Sequence, residues 1–223
     1  MDRVHHHSES PFERLRSAAI AIREIDPQQR HIGLLYSDSA LNRVSFLHLA
    51  WHFDLRCEAA RPEYFWVDPA IPTPRLAQLA AICRLVWRAN GKGRIPYGFG
   101  PPADCLDATT GAYLFGPAGS GLTCATFVLA AFHRAGLPLL RYETWPIGRA
   151  GDSEWQTRIV EALAATPGTT TEHVEAVRRD VGSTVRFRPE EVTVAATVVT
   201  MPVDFTVADA HAAQLLLRLR QPS

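Results

Sequence analysis

Cys124 follows Thr123 and precedes a run, Ala125 to Ala135, that is almost wholly apolar. Thr is a favoured helix N-cap, and Gly136 followed by Pro138 supplies a stop, so the run predicts a buried helix with Cys124 in its first turn. Unpaired amides and the positive end of the helix dipole favour a thiolate at that place. The position suits a nucleophile. It suits a small core residue equally, because Cys packs as a hydrophobe. Cys57, Cys83 and Cys105 lack this placement, and Cys83 falls inside another apolar helical stretch.

A thiol nucleophile needs a base, usually His, that later protonates the leaving group, and a third polar group to fix the imidazole tautomer. His31 opens a short apolar strand, Ile32 to Tyr36, and His48 lies on the next strand, read as 44–53. A hairpin of the two can bring both rings to one sheet face. Positions 48, 50 and 52 alternate onto the same face, which leaves His52 as the alternative orienting residue. His133, His173 and His211 fall in helical segments and read as structural. The four cysteines form no C-x-x-C pair and no regular spacing with His, so neither a zinc site nor a disulfide framework is expected. No metal or other cofactor is implied.

Four strings together carry a family resemblance. Gly121-Leu122-Thr123-Cys124-Ala125-Thr126-Phe127-Val128, continuing to Ala135-Gly136-Leu137, resembles the nucleophile helix of NlpC/P60 peptidases, where Asp-Cys-Ser-Gly-Phe-Val opens the helix. Arg30-His31-Ile32-Gly33-Leu34-Leu35-Tyr36 is similar to that family's His-Val-Gly-Ile-Tyr strand. Phe46-Leu47-His48-Leu49 resembles its next strand, and Pro96-Tyr97-Gly98-Phe99-Gly100 its Tyr-x-x-Gly-Gly segment. Here the His strands precede the Tyr and Cys segments, the order of the circularly permuted branch that includes lecithin–retinol acyltransferase-like proteins. The resemblance covers about 31–53 and 96–137. Thr123 stands where the family has Asp, and Ala125-Thr126 where it has Ser-Gly. It implies an α+β, papain-like fold and acyl transfer, with Cys124 as nucleophile, His31 as base, His48 as its orienter and Tyr97 helping to hold the oxyanion. The substrate class it implies is a peptide or amide, a peptidoglycan stem peptide included. Two other readings stand beside it: a lipid-directed thiol acyltransferase or lipase, and a catalytically silent binding module on the same fold.

The rest of the chain must position these groups. Pro11 to Ile25 shows Phe12, Leu15, Ala19 and Ile22 on one helical stripe, and residues 1–30 are expected to be an N-terminal helical segment. Residues 31–140 would form the catalytic core and 141–223 a helical and β extension packed on it. Tyr64 to Val67 should add a third strand to the hairpin, and a helix should run from Thr73 to about Ala89. The Gly- and Pro-rich stretch 91–121 reads as a long functional loop. Residues 152–180 read as helical, Val192 to Val199 as a strand and Val207 to Arg220 as a last helix. His5-His6-His7 could bind a metal but reads rather as a mobile terminus.

With 47% apolar and 21% charged residues the 223-residue chain can fill one core. Its formal net charge of zero and pI near 7.1 argue against binding nucleic acid through phosphates. No segment is apolar enough to span a membrane, and the first residues lack a secretory leader. These features predict synthesis in a reducing cytoplasm, with export by a route lacking a cleavable leader still open, as for an effector toxin.

Overall fold

The computed structural model describes residues 2–38, 41–116 and 118–220. Over these described residues the architecture is α+β: a six-stranded antiparallel sheet in the order β1-β6-β2-β3-β4-β5, with six helices. The strands are β1 (Val4–His6), β2 (Ala18–Asp26), β3 (Gln29–Asp38), β4 (Arg43–Trp51), β5 (Asp54–Ala59) and β6 (Phe65–Val67). Helices α1 (Thr73–Asn90) and α2 (Cys124–Arg134) pack on one face. Helices α3 (Asp152–Ala165), α4 (Thr171–Arg179), α5 (Pro189–Ala195) and α6 (Phe205–Leu219) add to the same apolar cluster, through Leu163, Val177, Val192 and Leu215. A smaller cluster of Phe12, Leu15, Leu35, Phe46, Tyr64 and Trp66 covers the other face.

Four local expectations are corrected. The helix expected over 11–25 is a single 3-10 turn at Phe12–Arg14 followed by strand β2. Ala18-Ala19-Ile20-Ala21-Ile22 lies between β3 and β6 and is buried on both faces, so its unbroken apolar run fits a helical stripe by coincidence. The strand expected over 192–199 is instead α5 and its exit. Pro189 occupies the first turn, and the Glu191 carboxylate accepts from the Arg188 amide at 3.0 Å, so capping overrides the β-branched composition. The 64–67 strand joins β1 and β2, and the hairpin is extended by β5, which sequence reading left out. The histidine triplet is not a loose tail: His5 and His6 belong to β1 and their rings lie on Trp66 and Phe65 at 4.7 and 4.8 Å. No metal-binding group of His, Cys, Asp or Glu is present among the described residues. No helix among them is long and apolar enough to cross a membrane.

Candidate active site

Thr123 caps α2 through a reciprocal pair: its Oγ1 accepts from the Thr126 amide at 3.1 Å, and Thr126 Oγ1 accepts from the Thr123 amide at 2.8 Å. Threonine thus does the work a Glu or Gln does in the usual capping box. Every residue from Cys124 to Phe132 is buried, which anchors the helix start rigidly against β3 and β4.

The sequence around β3 then decides where the sulfur lies. The Ser37 amide bonds to Ser17 on the β2 side, so by alternation Ile32, Leu34 and Tyr36 turn their amides towards β4. Pairing with β4, however, ends at Leu34 and Leu47, which frees the Ile32 amide. The Cys124 sulfur sits at this notch. The Ile32 and Ala125 amides and the Tyr97 hydroxyl polarise it, without the geometry of a full hydrogen bond. Burial outweighs them and raises the thiol above its usual value, so the resting group is a neutral SH.

On the other face of β3 the histidines meet. His31 Nε2 and His48 Nδ1 are 2.8 Å apart, and His48 Nε2 lies 3.3 Å from Glu58 Oε1 on β5. His48 stacks on Phe46 with centroids 4.3 Å apart, and His31 meets Phe46 and Tyr64 edge-on. Gly33 makes the pair possible: a Cβ there would stand 2.5 Å from His48 Cβ and 2.6 Å from the Phe46 ring. Burial lowers His31 to about 3, with the neighbouring His48 adding to the effect, so the ring is neutral near pH 7. Burial also lowers His48, against the pull of Glu58. The Glu58 carboxylate is itself held below its usual value, since Arg61 and His48 outweigh the effect of burial.

These charge states fix the tautomers in series. An ionised Glu58 only accepts, so His48 donates to it from Nε2. Neutral His48 then accepts at Nδ1, His31 donates from Nε2, and His31 Nδ1 is left as a bare lone pair. That nitrogen has no hydrogen-bond partner among the described residues. The line Glu58–His48–His31 therefore presents a base.

Of the residues singled out in the sequence, His31 and His48 come together, and so do Cys124 and Tyr97. The two pairs approach β3 from opposite faces, at neighbouring residues 31 and 32, and no hydrogen bond joins the Cys124 sulfur to an imidazole among the described residues. His52 does not reach His31. Its Nδ1 accepts from the Tyr97 amide at 3.2 Å, and its ring lies 4.6 Å from that of His173, whose Nε2 donates to the Tyr97 carbonyl at 2.9 Å. Both histidines thus hold the loop that carries Tyr97, and close contacts of Gly98 and Gly100 with Gly121 pin that loop to the residues before Thr123.

Sequence reading missed Glu58, because β5 was not recognised, and it missed the cover over the sulfur. Arg30, Trp155, Arg186, Phe187 and Pro189 close a crevice over Cys124 with room for about one water molecule. Three of these five residues fall between 186 and 189, in a segment with no sequence motif of its own. No protein family, curated protein or solved structure matches this chain.

Proposed function

We propose that this chain is a cysteine hydrolase of papain-like architecture in permuted order, cleaving an amide or peptide bond through an acyl-enzyme on Cys124. The observation that carries the reading is the Glu58–His48–His31 line, which ends in an Nδ1 with no partner among the described residues, one residue along the chain from the amide that faces the Cys124 sulfur. In the proposed reaction His31 Nδ1 takes the thiol proton as sulfur attacks the carbonyl carbon. Tyr97 and the amides at the start of α2 hold the oxyanion. The tetrahedral adduct collapses, the amine leaves with the proton from His31, and water releases the acyl group by the reverse proton path.

Because both groups rest neutral, Cys124 should not behave as a preformed thiolate–imidazolium pair. Its alkylation by iodoacetamide should rise about tenfold per pH unit from about pH 7 to 9, with no plateau at lower pH. Mass spectrometry of the labelled cysteines measures this. Cys124→Ala should remove all hydrolysis while leaving the thermal midpoint nearly unchanged, since Ala is a good helix former. Retained turnover in that variant ends the proposal. The closed crevice favours a second reading, a binding module that performs no chemistry; complete failure of Cys124 to alkylate in the folded protein selects it.

A further inference from the structure

Beside the Cys124 crevice lies a second cleft of about 580 Å³, lined by Gln28, Arg30, Glu154, Arg158, Arg186, Arg188 and Glu190 together with the Ala150–Gly151 backbone. Arg30 and Arg186 line both, so the cleft and the Cys124 crevice share a wall. Four guanidinium groups face two carboxylates. Part of that charge is held within the protein: Arg30 pairs with Glu24 and stands 3.7 Å from Glu190, while Arg186 and Arg188 bond to Asp152 at 3.2 and 2.9 Å. Two donors are not held so. Arg158 bonds to the neutral amide of Gln28, and Arg186 Nε is sealed from solvent with no partner among the described residues, on a side chain only 11% exposed. The exposed Arg158 guanidinium, bonded only to a neutral amide, can give an anion a charge-assisted bond. The Arg186 guanidinium is fixed 4.0 Å over the Trp155 ring, so its fork is already oriented.

We propose that this cleft binds a carboxylate of the substrate, so that the hydrolase acts on an acidic acyl group or peptide whose scissile carbonyl reaches Cys124. The inference rests on the cysteine-hydrolase reading for its link to the sulfur, though the anion site itself does not.

Two measurements separate these parts. The first compares the thermal midpoint in succinate with that in the neutral succinamide, for the unchanged chain, Cys124→Ala and Arg158→Gln. Arg158 is exposed and its loss leaves the buried ion pairs in place. Succinate alone should raise the midpoint in the first two proteins, and the rise should fall by at least half in Arg158→Gln. Equal effects of succinate and succinamide overturn the anion site. The second measures the ratio of Cys124 alkylation rates with iodoacetate and iodoacetamide. That ratio should fall about fivefold or more in Arg158→Gln and in high salt. An unchanged ratio, with succinate still bound, overturns the role in substrate choice. If Cys124 reacts with neither reagent the hydrolase reading fails, and the succinate arm alone decides the cleft.

Discussion

On one face of β3 the Cys124 sulfur is buried at a helix start, under Trp155 and Arg186, and stays protonated because desolvation outweighs three nearby donors. On the other face His31 is half-buried, and it belongs to a line of hydrogen bonds that ends at a carboxylate. Burial acts on both groups in the same sense, against charge. Their difference lies in partners: the thiol has polarising neighbours alone, whereas the imidazole has a fixed tautomer and a lone pair with no partner among the described residues. In the proposed reaction each face supplies half of an acid–base pair, and the notch where β3 and β4 part is where the halves would exchange a proton.

The strongest way to break this comparison is to remove the base. His31→Ala should lower turnover by about a thousandfold or more, since the proton acceptor itself is lost. His48→Ala should cost about tenfold to a thousandfold, or roughly 1.4–4 kcal/mol of transition-state stabilisation, because the acceptor stays but its tautomer is no longer imposed. Steady-state rates under one condition test the order. A reversed order would mean that His48, not His31, delivers the proton transfer.

A smaller effect should appear in stability. His31 sits at about 3 in the folded chain against an ordinary value near 6.5, so between those limits the unfolded chain binds the extra proton. Stability contributed by keeping this ring neutral is therefore complete above about pH 6.5 and declines as pH falls towards 3. The slope from this one group is at most about 1.4 kcal/mol per pH unit. His31→Gln retains an amide donor towards His48 and removes the titration. Urea midpoints at about pH 7 and pH 5 should differ less in that variant than in the unchanged chain. Equal differences would show that His31 is not desolvated as the structure has it.

Short-range signals made part of each face legible in the sequence. Thr123, the apolar run after Cys124 and Gly136 are local signals, and each acts within one turn of the residue it governs. The pairing of His31 with His48 followed from a hairpin and alternation, which are also short-range. What stayed hidden depends on distant partners. Ala18 to Ile22 became a central strand because β6 arrives from about 45 residues later to cover it, and that pairing leaves no mark on the local pattern. Glu58 could have been found from the alternating Asp54 to Ala59 run after the Phe53 turn, where a positive φ of 56° closes the hairpin tightly. The cover over Cys124 comes from residues more than 30 positions away, held by Arg149, Asp152 and Glu191 in a buried ion network. Sequence can show that such charges exist but not which of them are buried together.

The smallest expected effect concerns the end of the imidazole line. Glu58 is 28% exposed on its side chain and shares its Oε1 between His48 at 3.3 Å and Arg61 at 2.7 Å. An exposed ion pair of that kind is worth about 0–1 kcal/mol, and the carboxylate's main service to His48 is to accept one N–H. Glu58→Gln keeps an amide oxygen as acceptor and deletes the charge, so the tautomer order His48 to His31 can survive. Turnover should drop by no more than about fivefold, the rate equivalent of 1 kcal/mol. Glu58→Leu removes the acceptor as well and should approach the loss seen in His48→Ala. If Gln and Leu are equally harmful, the charge matters and the line works as an electrostatic device. If both are silent, His48 fixes its tautomer without Glu58, and the face of β3 that carries the histidines is simpler than the bonds between them imply.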